Sequence, residues 1–204
     1  MANCKKLSNE LDGHLKYINQ SRKKIEKLYN QGLIKNKDLE ILYKGLFIDA
    51  YTSLELFIEN LFIGLLTKSL EHSNKKVNPR VTFRSHKVCR EVLSGDRSYV
   101  DWIPYRLTIR RAKGYFTNGL PFTCLSNAEL KLIEQLSIVR NTIAHESKHA
   151  KKIFHNEILA GLYLSRRDST PVGYLRSIYI SAPSQSRYEK HMIDIAFIAN
   201  KLTS

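Results

Sequence analysis

The sequence predicts an all-α fold, a bundle of amphipathic helices interrupted by one inserted segment. Apolar residues recur every three or four positions over residues 7–65, 130–139 and 188–202, which is the spacing of an α-helix with a buried face. Turn-forming Pro, Gly and Asn residues gather between these stretches, over 73–121 and 169–186. A hydrophobic share of 43% is enough for a folded core.

Two long helices are predicted in the N-terminal third of the chain. The first ends near Gly32, and its apolar positions are Leu7, Leu11, Leu15, Ile18, Ile25 and Leu28. The second runs from Asp38 to Leu65 and is about 45 Å long at the α-helical rise. Its apolar residues cover more than one face, so we expect it to pack against two neighbours or a second subunit.

Residues 74–122 are predicted to be a loop-rich insertion within a single domain over 1–204. Short helices are expected near 85–93 and 105–113. Arg and Lys residues alternate in the insertion with five aromatic residues: Phe83, Tyr99, Trp102, Tyr105 and Tyr115. This combination suits partly single-stranded nucleic acid, because bases stack on rings while phosphates pair with cations. The alternative is a small separate core that buries the rings and leaves the arginines in solvent.

The C-terminal third is predicted to hold two more helices and an extended piece. A helix is expected over 150–164, with Ile153, Ile158, Leu159 and Leu162 facing inward. Residues 174–180 have the composition of a β-strand, so they form either a short hairpin or an extended loop. A closing helix is predicted over 184–202.

The net charge and the cysteine content limit the kinds of partner and the cellular compartment that are expected. The chain has 33 Lys and Arg against 19 Asp and Glu, a net charge of +14. This favours a polyanionic partner, whether RNA, DNA, an acidic protein or an anionic membrane surface. Three cysteines without C-x-x-C spacing indicate reduced thiols in a cytoplasmic protein. The most apolar run, 54–66, is too short to span a bilayer, so no membrane segment is expected.

Residues 140–145 carry the strongest chemical signal, the run Arg-Asn-Thr-Ile-Ala-His. Arg140 can fork onto a phosphate with two parallel hydrogen bonds, and His145 can move a proton near neutral pH. The two lie five residues apart and so not quite on one helical face. A helix break near Asn141, a favoured N-cap residue, would direct both into one cleft. Alternatively, both side chains only hold structure.

This run resembles the R-N-x-x-x-H signature of HEPN domains, which are small all-helical proteins. The resemblance implies a HEPN-like bundle that acts as a metal-independent endoribonuclease, a toxin or an anti-phage defence effector. It assigns catalysis to Arg140, Asn141 and His145, with no cofactor and no metal. The neighbouring lysines are expected to hold the flanking RNA backbone: Lys148, Lys151 and Lys152. The implied partners are RNA, a second copy that completes a composite active site, and an antitoxin or defence-system protein.

Two other functions remain open at this point. A non-catalytic HEPN module would use the same bundle to bind a partner protein or nucleic acid. A zinc metallopeptidase would use the pattern His145-Glu146-x-x-His149, with His155 as a third ligand, although Lys152 stands where such enzymes need Gly. Glu55 and Glu59, four residues apart, are either a divalent-metal pair or, more commonly, partners of nearby cations.

Overall fold

The computed structural model of the protein describes residues 2–74, 76–145 and 147–204. Within these ranges it has eight α-helices: α1 (Cys4–Asn30), α2 (Asn36–Leu66), α3 (His86–Ser94), α4 (Tyr105–Tyr115), α5 (Asn127–Ala144), α6 (Lys148–Phe154), α7 (Pro171–Arg176) and α8 (Arg187–Leu202). Four short strands complete it: β1 (Ala2–Asn3), β2 (Leu70–Glu71), β3 (Ile178–Ser181) and β4 (Ser184–Ser186). The first pair is parallel and the second antiparallel. The predicted helical class is therefore confirmed at that level.

The chain divides into two compact units, each built from segments distant in sequence. The α4 unit comprises Met1–Asp12, Ser53–Ile133 and Ala196–Ser204. The motif unit comprises Gly13–Thr52 and Glu134–Ile195. Four long helices, α1, α2, α5 and α8, contribute residues to both. No helix in the described ranges is long and apolar enough to cross a lipid bilayer.

The core of the α4 unit is aromatic. The ring of Phe62 on α2 lies 5.1 Å from Trp102, 5.0 Å from Phe116 and 4.8 Å from Phe122 between centroids. Tyr105 is buried and donates its hydroxyl to the Phe122 carbonyl oxygen at 3.2 Å. The prediction that Trp102 and Tyr105 stack on bases is therefore wrong. The alternative, in which the aromatic residues are buried, is confirmed for these two rings, but their core includes Phe62 of α2 and is not confined to residues 74–122.

The core of the motif unit contains aromatic rings that join α2 to α8, and a part-buried ion pair lies beside them. Tyr188 packs edge-on against Tyr43 at 5.7 Å. Close by, Glu26 accepts two hydrogen bonds from Arg176, at 2.8 and 3.0 Å, and one from the Tyr43 hydroxyl at 2.5 Å. Burial opposes ionisation of Glu26, but these bonds outweigh it and lower the pKa of its carboxyl. The carboxylate of Glu26 is thus paired within the protein, which offsets the cost of removing part of it from water.

The predicted boundaries hold well before the motif and less well after it. α1 to α4 lie within a few residues of their predicted ranges, and all three cysteines are free thiols. The helix predicted over 150–164 is wrong in length: α6 ends at Phe154, and one π-helical turn follows over His155–Leu159. Gly161 has a φ of +77°, a left-handed conformation that ends helices and suits glycine.

The short hairpin is confirmed, but it starts later than predicted. Residues 174–176 belong to α7 and not to a strand, because Thr170 caps that helix and Pro171 opens it. Strand β3 pairs with β4 around Ala182 and Pro183. The closing helix consequently begins at Arg187 and not at residue 184.

Candidate active site at the end of α5

Arg140 is held on the last turns of α5 by an aromatic ring and an amide. Its guanidinium carbon lies 5.5 Å from the centroid of the Tyr51 ring, a cation–π contact. Its Nη1 donates to Oδ1 of Asn141 at 3.0 Å. Tyr51 is 4% exposed, and its hydroxyl lies 3.1 Å from the Ser137 hydroxyl. Tyr51 therefore ties α2 to α5 at the position of the arginine.

The charge of Arg140 has no anionic partner among the described residues. None of the ion pairs found in those ranges includes it, and its Nε is buried without a hydrogen-bond acceptor. A buried donor left unbonded costs about 1–3 kcal/mol. Arg140 is only half-buried, so its remaining Nη donors can reach a ligand. A fixed cation with spare donors is suited to an oxyanion such as phosphate.

The helix break predicted at Asn141 is wrong by four residues. Asn141 lies inside α5, and the helical ladder continues until the His145 N–H donates to the Asn141 carbonyl oxygen at 2.8 Å. The cap of the next helix is Ser147, whose hydroxyl accepts from the Ala150 N–H at 3.1 Å. The Asn141 side chain instead accepts a hydrogen bond from Arg140.

His145 follows the end of α5 directly and is exposed. Because it lies outside the helix, the helical phase no longer fixes its direction relative to Arg140. Thr142 anchors this corner: its buried hydroxyl lies 2.8 Å from the Ile138 carbonyl oxygen and 3.3 Å from that of Ala150. The structure thus brings Arg140 and Asn141 together, while no hydrogen bond in the described part of the chain joins either side chain to the His145 imidazole.

The three predicted substrate-binding lysines lie on one short helix. All are exposed on α6, and none forms an ion pair in the described ranges: Lys148, Lys151 and Lys152. Positions 148 and 152 share a face, and 151 lies beside them. Their charges are therefore available to a polyanion.

The geometry expected of a zinc peptidase helix is not formed. That motif needs both histidines on one helix, but His145 follows α5 while His149 lies on α6. Glu146, the proposed base, lies outside the described residues. No group of three or more His, Cys, Asp or Glu side chains among the described residues is arranged to hold a metal ion. Glu59 accepts instead from Arg90 at 2.6 Å and from Trp102 at 3.1 Å.

Two residues of this site were not predicted, Tyr51 and Ser137. Tyr51 falls four residues after Phe47 and three before Leu54, on the apolar stripe of α2. A tyrosine in a buried stripe needs a partner for its hydroxyl, and this was the available signal. Nothing in the sequence alone pairs it with α5.

Comparison of the chain with family models, with curated proteins and with solved structures found no match in any of the three.

Proposed function

We propose that the protein is a HEPN-like helical bundle that acts as a metal-independent endoribonuclease, a toxin or anti-phage defence effector. One observation carries the proposal: Arg140 contacts Tyr51 and Asn141 and has no anionic partner among the described residues, five residues before an exposed histidine. A structural arginine in a half-buried position normally finds a carboxylate or carbonyl acceptor. Arg140 has an amide oxygen but no carboxylate among the described residues, so donors of its guanidinium remain for a ligand's negative charge.

RNA supplies its own nucleophile in the proposed reaction. The 2′-oxygen forms a bond to phosphorus while the bond from phosphorus to the 5′-oxygen breaks. His145 either takes the proton from the 2′-hydroxyl or gives one to the 5′-oxygen, and its counterpart in a second copy makes the other transfer. Arg140 stabilises the charge on the phosphorane, and Asn141 holds the guanidinium. The products are a 2′,3′-cyclic phosphate and a 5′-hydroxyl.

The proposed working form is a homodimer with a composite active site in the cytoplasm, restrained by an antitoxin or defence-system partner. One arginine and one histidine per copy make a sparse site, which a two-fold axis would complete. The lysines of α6 would hold the flanking phosphates.

Coexpressing wild-type protein with an excess of His145→Ala subunits tests the composite site. Activity per wild-type subunit should collapse, whereas independent sites would keep it constant.

The proposed activity itself is tested with purified protein and a mixed-sequence RNA in excess EDTA. Cleavage should persist, and the products should carry 2′,3′-cyclic phosphate and 5′-hydroxyl ends. Activity lost with chelator and restored only by zinc would contradict the proposal. His149→Ala provides the matched variant: His149 is exposed on α6, so its loss should leave the RNase active but would abolish a zinc enzyme. A non-catalytic binding module would cut nothing under any of these conditions.

A further inference from the structure

A line of cations that form no ion pair with any described residue runs along the outer face of α4. Arg106, Arg110 and Lys113 are exposed, and their spacing of four and three residues places them within roughly a 60° arc of the helix. The other side of the helix buries Tyr105, Thr108 and Ala112. The Thr108 hydroxyl donates to the Trp102 carbonyl oxygen at 2.6 Å. The cationic line therefore stands on a helix that is anchored to the core.

No carboxylate among the described residues neutralises this line. Residues 102–128 contain no Asp or Glu, and none of the three cations takes part in an ion pair of the described residues. Other cations of the same unit are paired, at Arg90 with Glu59 and Lys201 with Glu129, both at 2.6 Å. Like charges three and four residues apart destabilise a helix. Some cations of the unit are paired within the protein, whereas these three have no such partner among the described residues.

Arg80 extends the line at the C-terminal end of α4. Its backbone N–H donates to the Tyr115 carbonyl oxygen at 2.8 Å, and the Thr117 N–H donates to the Asn78 carbonyl oxygen at 2.9 Å. These bonds fix the Arg80 backbone beside the last residue of the helix. The Arg80 side chain is exposed, which gives a surface of four cations: the α4 stripe.

The composition of this face selects the kind of partner. Protein interfaces need apolar or aromatic side chains at their centre, but none of the strongly exposed apolar residues lies on α4. Single-stranded nucleic acid needs exposed rings for stacking, but Tyr105 is buried and Tyr115 packs against Phe62 at 6.1 Å. Cations without rings or apolar contacts suit phosphates alone, which a duplex presents on its outside.

We infer that the α4 stripe is a docking surface for the phosphate backbone of double-stranded RNA. The duplex is contacted through phosphates, independently of base sequence. The choice of RNA over DNA rests on the proposed function, because the substrate of that reaction carries a 2′-hydroxyl. The stripe belongs to the α4 unit, whereas the residues proposed to cut belong to the motif unit, so binding and cleavage can be separated by substitution.

The test measures binding of a fluorescein-labelled RNA duplex at several salt concentrations, on a His145→Ala background that prevents cleavage. Substituting Arg106, Arg110 and Lys113 with Gln should make the log-log salt slope shallower by between two and three units, at roughly 0.9 per phosphate contact. Affinity should fall roughly 100-fold at 0.15 M salt by the same relation. The matched control substitutes Lys24, Lys27 and Lys37, three exposed lysines of the motif unit, with Gln.

The control removes the same charge from lysines that do not belong to the α4 stripe, so it should weaken binding by less than about threefold through the change in net charge alone. The conservative variant Arg106→Lys/Arg110→Lys keeps the charge and should retain the wild-type slope. Equal losses in the two triple variants, or tighter binding of single-stranded RNA, duplex DNA or poly-glutamate, would overturn the inference. Duplex binding that follows this pattern in a protein that cuts no RNA would refute the proposed function and leave the docking surface standing.

Discussion

Two arginines of this protein sit over aromatic rings in nearly the same way and have different surroundings. Arg140 lies 5.5 Å from the Tyr51 ring in the motif unit, and Arg111 lies 5.6 Å from the Trp102 ring in the α4 unit. Arg111 also donates to the Asp101 carbonyl oxygen, and burial lowers the pKa of its guanidinium. Arg140 has a ring and an amide oxygen but no anion among the described residues. The two arginines therefore share a ring and an oxygen acceptor, and they differ in the nearby carboxylate charge, which Asp101 supplies to Arg111.

The largest expected effect is a difference in RNA cleavage between variants that lack one or the other of these two arginines. Arg140→Ala should lower RNA cleavage by about 10²–10³-fold, the usual loss when a preorganised donor to a developing oxyanion is removed. Arg111→Ala should leave cleavage per folded molecule unchanged and lower the melting temperature, because a buried carbonyl loses its donor. Initial rates and thermal unfolding of both variants give the comparison. If the two variants lost cleavage equally when compared at the same fraction of folded protein, Arg140 would have no special role in cleavage.

Substituting the rings that contact these arginines should have a smaller effect: loss of the Tyr51 ring should lower cleavage, whereas loss of the Trp102 ring should lower only stability. Tyr51→Leu removes a contact of about 1–2 kcal/mol that holds Arg140, so cleavage should fall by about tenfold. Tyr51→Phe keeps the ring and loses the contact with the Ser137 hydroxyl, so cleavage should be retained and stability should fall by about 1 kcal/mol.

Trp102→Leu is the matched change in the α4 unit. It should cost about 2–4 kcal/mol of stability through lost packing, without altering cleavage by the folded protein. A Tyr51→Leu enzyme that cuts RNA at the wild-type rate would show that the ring does not position Arg140.

The smallest expected effect is a difference between the two units in their response to acid. His191 is 5% exposed in the motif unit, and burial lowers the pKa of its imidazole to about 3. The unfolded chain therefore binds a proton below about pH 6.5 that the folded chain does not, and stability falls as pH drops. The loss is about 2 kcal/mol between pH 7 and pH 5.

Glu129 in the α4 unit responds in a lower pH window. Burial opposes ionisation, but bonds from Lys201 and Ser126 outweigh it and lower the pKa of the carboxyl. Its stabilising contribution is complete above the unfolded pKa of about 4.5 and is lost only as pH falls through the lower folded pKa. The contribution of His191 is measured by urea unfolding of wild type and His191→Gln at pH 7 and pH 5. Between these two pH values the free energy of unfolding should fall much less in the variant than in the wild type. An equal decrease in both proteins would show that His191 does not cause the loss.

The helices were predictable because their signal is local. The periodicity of α1 and α2 places both within a few residues of the observed bounds, since one buried face repeats along each helix. The region after the motif was less predictable, because its boundaries depend on single capping residues: Ser147, Gly161 and Thr170. Tyr174 and Leu175 have strand-like composition, yet the cap at Thr170 and the proline after it place them in a helix.

The polar residues of the candidate site could be predicted from the sequence, but the aromatic residue that holds Arg140 in place could not. Arg140, Asn141 and His145 are contiguous in sequence, so their types and spacing were visible. Tyr51 lies 89 positions away from Arg140, and only tertiary packing brings the ring under the guanidinium. The basic neighbours of Trp102 in the sequence also do not show whether its ring is buried. A ring among cations can stack on bases or pack in a core, and only the tertiary structure distinguishes the two.

The most direct test of the account is the rate of RNA cleavage at one mapped position by wild type, His145→Ala and His155→Ala. Both histidines are exposed, so neither change should disturb the fold. The account predicts a fall of about 10²–10⁴-fold for His145→Ala, the usual contribution of a general acid or base, and no change for His155→Ala. Cleavage by His145→Ala at the wild-type rate would contradict it.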